Sequence, residues 1–296
     1  MGTYSTGVLS KGTLFAPELV KEMFNAVKGH SAIAKLAASE PVAFSGNEHM
    51  VFSMDGEVSL LGENESKSAG EITLTPVDVI PLKIEYGARV SDEFMYASEE
   101  KQLDILRNFA EGYSKKVARG LDIMAMHGVN PRTGTASALI GTNSLDTNTS
   151  VTAITAASPA DPLADLEACV TAIGDYDMTG YAMAKQFAAD LSQVTIGNSV
   201  PFAAYMLGGN PGVLNGVPAD VNSTVSFNSS GVDVYAGDFA NCFKWGYSKE
   251  IPLEVIPYGD PDNSGYDLKG YNQVYLRAET YIGWAILDGT AFARVS

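Results

Sequence analysis

Residues 98–127 read SEEKQLDILRNFAEGYSKKVARGLDIMAMH, a segment without proline in which apolar side chains recur at alternating spacings of three and four. Those positions are Leu103, Leu106, Ala110, Tyr113, Val117, Leu121 and Met124. The spacing predicts the buried face of one helix, with Ser98 as its cap and Gly128 and Pro131 at its end. At ~1.5 Å per residue this helix is about 45 Å long, far longer than the mean helix of ~11–12 residues. We therefore expect a spine to which the other elements attach.

A polar segment upstream of this helix separates two runs with strand character. Residues 51–54 precede it, residues 72–75 alternate apolar side chains with threonine after it, and the segment itself reads GENESKSAGE. Pro76 and Pro81 favour an edge strand. The pattern predicts a long β-hairpin over residues 44–85 that projects from the body. Because a lone two-stranded hairpin is marginally stable in water, we expect it to lean on a neighbouring subunit. The candidate contacts at its tip are Glu63, Glu65 and Lys67.

The first 30 residues predict an N-terminal arm. Residues 1–14 are small and polar and show no lasting period, so a partner must hold them in place. Pro17 and Gly29 suit the start and the end of a short helix. Phe15 and Leu19 are the candidate apolar contacts of this arm with another subunit. Because the start lacks the apolar core of a signal peptide, we do not expect export.

Beyond the spine the pattern changes to a compact α+β unit. Residues 129–160 read as loop, and Asp161-Pro162 begins a helix whose predicted buried face is Leu163, Leu166, Val170 and Ile173. A second helix is predicted over 182–191, followed by short strands and turns to residue 250. Two β-rich runs, at 251–258 and 274–293, end the chain.

Composition and charge exclude several classes of protein. The 296 residues are 46% hydrophobic and include 2 cysteines, Cys169 and Cys242, so global disorder and a disulfide scaffold are both excluded. We expect two buried thiols in a reducing cytoplasm. With 19 Lys and Arg against 35 Asp and Glu, the net charge of -16 disfavours binding to DNA phosphates or anionic membranes. No apolar run reaches the ~18–20 residues of a membrane helix.

None of the catalytic or ligand-binding motifs suggested by the sequence is complete. The histidines are spaced for neither metal nor catalysis, and a structural role is expected for His30, His49 and His127. No Gly-x-Ser-x-Gly elbow occurs, and the glycines at 208–212 lack the Lys-Ser/Thr of a phosphate loop. We therefore predict no enzyme activity, no cofactor and no metal.

Two acidic groups are expected to be solvated rather than to bind a ligand. Asp260, Asp262 and Asn263 form only part of a calcium loop, so we expect a solvated turn. Asp175 and Asp177 are expected to be solvated at the end of a helix.

Five segments, taken in order, resemble the major capsid proteins of tailed bacteriophages, which have the Hong Kong 97-like fold. The similarity spans most of the chain between Pro17 and Ala293. The segments are ITLTP at 72–76 with ARVSDE at 88–93, LDIMAMHG at 121–128, LNGVP at 214–218, YAGDF at 235–239, and RAE at 277–279 leading to DGTAFA at 288–293.

The resemblance implies an α+β fold with four parts. They are an N-terminal arm (1–30), a peripheral domain (31–152) with the extended loop (44–85) and the spine (98–127), an axial domain (153–250), and C-terminal strands (251–296) that return to the peripheral domain. The implied function is a structural head protein whose pentamers and hexamers form an icosahedral shell around double-stranded DNA. Its implied partners are copies of itself, DNA bound without sequence recognition, and separate scaffolding, portal or decoration proteins, with no membrane. The implied location is the virion, after assembly in the cytoplasm of a bacterial host. Many relatives carry a long N-terminal scaffolding segment, whereas here Met1-Gly2 precedes the arm directly. The expectation is therefore one of three: scaffolding is a separate protein, none is used, or this sequence is the trimmed product.

Two alternatives stay open at this point. One is the shell of a cytoplasmic nanocompartment with the same fold, similar to encapsulins; the other is an ordinary soluble α+β enzyme or binding protein.

Some relatives also join subunits by a Lys to Asn isopeptide bond, for which Lys67 and Asn263 are the implied pair. We expect no such bond, because the only carboxylates at the tip are Glu63 and Glu65, in polar surroundings.

Overall fold

The structure is a computed structural model. It describes residues 30–55, 58, 60, 61, 63, 65, 67, 69–96, 99–158, 160–248 and 253–296. The N-terminal arm, with the candidate contacts Phe15 and Leu19, lies outside these residues, as does the predicted cap Ser98.

The predicted spine is confirmed as a 29-residue helix, Glu99–His127. Six of the predicted apolar positions are buried: Leu106, Ala110, Tyr113, Val117, Leu121 and Met124. The helix ends where Gly128 takes a φ of +67° and its N–H donates to the carbonyl of Met124. A Cβ at Gly128 would lie 2.8 Å from the Ser144 hydroxyl, so both conformation and space favour glycine there. Residues 120–128 are all buried, and the spine therefore passes through the core at this end.

Helices and strands alternate along the rest of the chain. Numbered in order, with the spine as α3, the helices are α1 Ala32–Leu36, α2 Glu93–Tyr96, α4 Pro162–Ala172, α5 Lys185–Leu191 and α6 Phe239–Cys242. The strands are β1 Asn47–Asp55, β2 Glu71–Val79, β3 Leu82–Ser91, β4 Thr152–Ile154, β5 Gly180–Met183, β6 Val213–Leu214, β7 Val217–Val221, β8 Val234–Gly237, β9 Phe243–Tyr247, β10 Leu253–Ile256, β11 Gln273–Ile286 and β12 Phe292–Val295.

Three sheets organise these strands. Within the described residues, strands β1 and β2 form a two-stranded sheet, which is the hairpin. The 14-residue β11 is the centre of a second sheet, where it pairs antiparallel with β3, β9 and β10. The third sheet has the order β4-β12-β8-β5-β7-β6, so the C-terminal strand β12 lies inside the sheet of the predicted axial unit.

One large hydrophobic core joins the spine to both of the larger sheets. Trp284 on β11 is fully buried, and it exchanges two hydrogen bonds with Asn143, a residue of the loop after the spine. The indole N–H donates to the Asn143 carbonyl at 2.8 Å, and the Asn143 amide donates to the Trp284 carbonyl at 2.8 Å. This exchange satisfies the polar groups of a buried tryptophan and of the loop packed against it.

Two sequence-based expectations in the axial unit are wrong in part. Helix α4 begins at Pro162 with Asp161 as its cap, as predicted, but Val170 is 48% exposed and Cys169 is buried instead. The helix predicted over 182–191 begins only at Lys185, because Gly180–Met183 is a strand whose four residues are all buried. A short, continuously apolar run carries no period that separates helix from strand, which explains the second error.

Candidate assembly surface

The predicted hairpin is confirmed as an antiparallel ladder of nine residue pairs, from Asn47 opposite Val79 to Asp55 opposite Glu71. It is shorter than the predicted range 44–85, because residues 82–85 belong to β3 and pair with β11. Met50 lies opposite Pro76 in this register. Proline donates no ladder hydrogen bond, so its position fits the predicted edge strand. Since no third strand pairs with β1 or β2 in the described residues, both faces of the ladder depend on other contacts for support.

One face of the ladder is apolar, and none of the residues that the structure describes covers it. It consists of three cross-strand pairs: Met50 with Pro76, Phe52 with Leu74, and Met54 with Ile72. Phe52 is 56% exposed, and Met50, Met54, Ile72 and Leu74 are also more than half exposed. An exposed apolar patch of this kind marks an interaction surface. Full burial of one such side chain stabilises by about 1.5–3 kcal/mol, so a partner that covers this face gains several such contributions.

The sequence contains a signal for this face that the predicted contacts at the tip do not use. In Met50-Val51-Phe52-Ser53-Met54 the bulky side chains occupy alternate positions, which places them on one side of a strand. The prediction from sequence took these residues only as evidence for a strand. The opposite face carries Ser53 opposite Thr73 and Val51 opposite Thr75, and it is more polar.

The predicted tip contacts lie in the connection between the two strands. Glu63, Glu65 and Lys67 are all exposed there. The apolar Val58 and Leu60 in the same connection are almost fully exposed as well. The tip therefore presents both charged and apolar side chains to its surroundings.

The base of the hairpin is fixed to the body by a small apolar cluster. Val42, Val79 and Ala285 are buried together, which connects the hairpin to β11. Gly46 takes a φ of +91°, and a Cβ there would lie 3.1 Å from the Val79 carbonyl, so glycine is needed where the chain enters the ladder. The hairpin is thus anchored at one end, and its apolar face has no cover from the described residues.

A buried carboxylate joins α1 to the spine. Asp122 accepts hydrogen bonds from the hydroxyl of Ser31, from the backbone N–H of Ala32 at 2.9 Å and of Ile33 at 3.2 Å, and from the Thr224 hydroxyl at 2.9 Å. Burial raises the pKa of Asp122 to about 6, and the hydrogen bonds that it accepts oppose this rise. The Asp122 carboxylate accepts from all four donors. It therefore holds α1 and the spine together and has no remaining hydrogen-bonding capacity for a ligand.

A second buried network surrounds His127. Its Nδ1 lies 2.7 Å from a carboxylate oxygen of Asp146, and its Nε2 lies 2.8 Å from the Thr224 carbonyl. Tyr235 and Arg294 donate to the same Asp146. Burial acts to raise the pKa of Asp146, but the hydrogen bonds from His127 and Arg294 outweigh it and lower the pKa. Because both ring nitrogens of His127 are already occupied, the histidine is structural, as the sequence predicted.

The acidic turn after β10 is exposed, as expected. Asp260 and Asp262 also accept hydrogen bonds from the guanidinium of Arg89, at 2.8 Å and 2.9 Å, and the Tyr266 carbonyl accepts from it at 2.9 Å. The hydrogen bond from Arg89 lowers the pKa of Asp262. The acidic turn therefore binds a cation of the chain itself. Asp175 and Asp177 are likewise exposed as predicted.

Other chemistry is limited in the part of the chain that the structure describes. Neither cysteine is in a disulfide; Cys169 is buried and Cys242 half-buried, and burial raises their pKa values to about 12 and about 11. No group of three or more His, Cys, Asp or Glu side chains there could hold a metal ion. Among the described helices, even the longest lacks the apolar length that a bilayer crossing requires.

A long spine, a hairpin with an uncovered apolar face and a C-terminal strand threaded through the axial sheet define a structural shell subunit with the Hong Kong 97-like fold. The chain belongs to the phage capsid family, whose model matches residues 11–296. It is therefore a structural capsid protein of the phage head, and this membership disfavours both the nanocompartment shell and the ordinary enzyme or binding protein.

Solved structures agree with this assignment. The structure from Mycobacterium phage Ogopogo is 29% identical, with a TM-score of 0.74 over 90% of this chain and 91% of that one. The structure from Gordonia phage Cozz is 24% identical, with a TM-score of 0.69 over 90% and 86%. A third, the capsid of an empty GTA particle computed with C5 symmetry, is 15% identical, with a TM-score of 0.60 over 90% and 89%, and shows the fold alone. None of the curated protein sequences matches the chain.

Proposed function

We propose that this major capsid protein assembles through pentamers and hexamers into a closed icosahedral shell that encloses double-stranded DNA. The observation that carries the proposal is the apolar face of the hairpin, where Met50, Phe52 and Leu74 are more than half exposed. Nothing in the described part of the chain covers that face, and copies of the same chain are the partners that a shell supplies. The five-fold symmetry of the GTA capsid supports a pentamer for this fold.

The shell is proposed to be purely structural. In the two buried networks, around Asp122 and His127, the polar groups are hydrogen-bonded to other groups of the chain. Neither network therefore presents a reactive side chain to a substrate. DNA is proposed to be contained without sequence recognition, because a net charge of -16 opposes close binding to phosphates. Assembly is proposed to occur in the cytoplasm of the bacterial host.

The division of the chain into parts remains our proposal. Residues 31–152 and 251–296 form the peripheral domain and its returning strands, and residues 153–250 form the axial domain. Most strands support it, since β3, β10 and β11 share one sheet and β5–β8 share the other. Two strands cross the division: β9 pairs with β11 in the peripheral sheet, and β12 lies in the axial sheet.

The tip of the extended loop is proposed to touch a neighbouring subunit. Glu63, Glu65 and Lys67 are exposed and lie beyond the last ladder pair, Asp55 with Glu71. Phe15 and Leu19 of the arm are proposed as further contacts. Exposed ion pairs contribute at most about 1 kcal/mol, so the tip adds orientation and the apolar face adds most of the free energy.

Sedimentation and electron microscopy of the purified protein test this function. We expect capsomer rings or hollow particles. A variant without residues 62–70 should keep the circular dichroism spectrum of the folded subunit and assemble poorly, whereas Asp175→Ala, an exposed change elsewhere, should assemble normally. Monomers under every salt and pH condition would refute the assembly, and loss of the fold on deletion would refute the role of the tip.

A further inference from the structure

Leu207 has an unusual position in the axial unit. Its backbone is left-handed, with φ 56° and ψ 29°, and its side chain is 107% exposed, as open as in an extended chain. Left-handed backbone is disfavoured for residues with a Cβ and is normally taken by glycine or asparagine. Nothing within the described part of the chain rewards a leucine in this conformation.

The segment that carries Leu207 is well fixed. Tyr205 is buried and its hydroxyl donates to the Val213 carbonyl at 2.9 Å. The N–H of Gly209 donates to the Met206 carbonyl at 3.0 Å, and a Cβ at Gly209 would lie 2.1 Å from the Ala204 carbonyl. The turn is therefore tight and holds Leu207 outward as a knob.

An apolar groove lies on the same unit, beside helix α4. Its volume is about 470 Å³. The apolar residues that line it are Leu163, Leu166, Val170, Phe202, Leu214 and Val217. Val170 is the residue whose exposure contradicted the predicted buried face of α4, and here it lines the groove. A groove of this size and lining accepts a leucine side chain.

The charge distribution favours a second copy of this chain as the partner. Residues 191–219 include the knob and four of the ten residues that line the groove, and they contain no Asp, Glu, Lys, Arg or His, although the whole chain has a net charge of -16. Glu167 is the one charged residue among those that line the groove. Subunits of equal charge repel each other on average, so an uncharged surface is where two copies approach at least cost. In a closed ring each subunit uses two different, complementary patches, and the knob and the groove are such a pair.

We propose that Leu207 of one subunit inserts into the groove beside Val170 of the next subunit around a capsomer. This inference rests on the proposed assembly and identifies one of its contacts. It also explains the strained backbone at Leu207, because the conformation is retained for a contact that only the ring supplies.

Cysteine cross-linking tests the pairing directly. Leu207→Cys and Val170→Cys are made as separate variants, co-assembled, oxidised and run on a non-reducing denaturing gel. We expect a dimer band from the mixture only, and a ladder from the double variant. Each single variant is a control against the native thiols, of which Cys169 is buried. Particles without the dimer band, or a cross-link from Leu207→Cys to a different protein, would overturn the pairing and leave the shell itself standing.

A second measurement does not depend on disulfide geometry. Leu207→Gly removes both the knob and the backbone strain, so the unassembled subunit should be at least as stable as the wild type. Each contact should weaken about tenfold or more, and assembly should need a correspondingly higher concentration. Leu207→Met should restore assembly. Normal assembly of Leu207→Gly would overturn the proposal, and failure of the wild type to assemble would refute the proposed function as well.

Discussion

The Oδ2 atom of Asp122 lies 2.9 Å from the backbone nitrogen of Ala32, 90 residues away in the sequence. The same carboxylate accepts from the backbone N–H of Ile33. A side chain of the spine therefore caps the first turn of α1. The short helix is thereby fixed at the point where the described chain emerges from the N-terminal arm.

Asp122→Ala should destabilise the folded subunit strongly. The change leaves four buried donors without an acceptor, and each such donor costs about 1–3 kcal/mol. Denaturant unfolding of unassembled subunits measures the loss. Asp104→Ala, an exposed change on the same helix, is the control and should change the free energy of unfolding by about 0.5 kcal/mol or less. Equal effects of the two changes would contradict the anchoring role.

The contribution of Asp122 to stability should depend on pH. Burial raises its pKa to about 6 from 3.8, so the folded chain holds this proton more tightly than the unfolded chain. The stabilisation from the protonated carboxyl is thus full below pH ~4 and is lost as the pH rises through about 6. Asp122→Asn cannot titrate, so the difference in unfolding free energy between wild type and variant isolates this group. We expect the wild type to lose up to about 3 kcal/mol relative to the variant between pH 4 and pH 7. A constant difference would show that the pKa is not raised.

The sequence predicted those elements whose period is long and regular. The spine needed no tertiary information, because seven apolar positions follow the helical spacing and Gly128 ends it. The hairpin followed from alternation on either side of a polar segment, and its ladder confirms that prediction. The strand Gly180–Met183 was misassigned because all four of its residues are buried and no alternation remains.

The candidate contact residues were harder to predict for a different reason. Anchors such as Asp122 and the pair of Arg89 with Asp262 join residues 90 to 173 positions apart, and nothing local reveals which acid receives which donor. Leu207 was also invisible, since a leucine inside a glycine-rich turn gives no sign of left-handed backbone. The apolar hairpin face, in contrast, was readable from its alternate positions, although the predicted contacts were placed at the tip.

Phe52→Thr should impair assembly while leaving the subunit folded. The side chain is 56% exposed in the subunit, so its removal costs the isolated chain little, whereas a contact that buries it loses about 1.5–3 kcal/mol. Each contact should then weaken about tenfold or more. Val51→Thr makes the same kind of change on the opposite face of the strand and should assemble normally. Light scattering during assembly measures both variants, and equal behaviour of the pair would show that the apolar face is not the contact.

Unassembled subunits should not bind DNA tightly. A chain of net charge -16 repels phosphates on average, and tight binding requires clustered cations that release counterions. Fluorescence anisotropy of a labelled duplex, measured while salt is raised, checks this expectation. We expect little binding even at low salt. Tight binding that weakens steeply with salt would mean that the shell grips its DNA through a local basic surface.

Mature particles should dissociate into monomers when they are boiled in detergent. An isopeptide bond between Lys67 and Asn263 would require the lysine to lose its proton before it attacks the amide and releases ammonia. A lysine in water stays protonated at neutral pH, and only desolvation or a nearby basic group changes that. Lys67, Glu63 and Glu65 are all exposed, so these three tip residues offer no desolvated carboxylate to take the proton. A denaturing gel should therefore show one band near 31.3 kDa. A ladder that Lys67→Ala abolishes and Lys67→Arg does not restore would show that a neighbouring subunit completes the missing environment and that the bond forms after all.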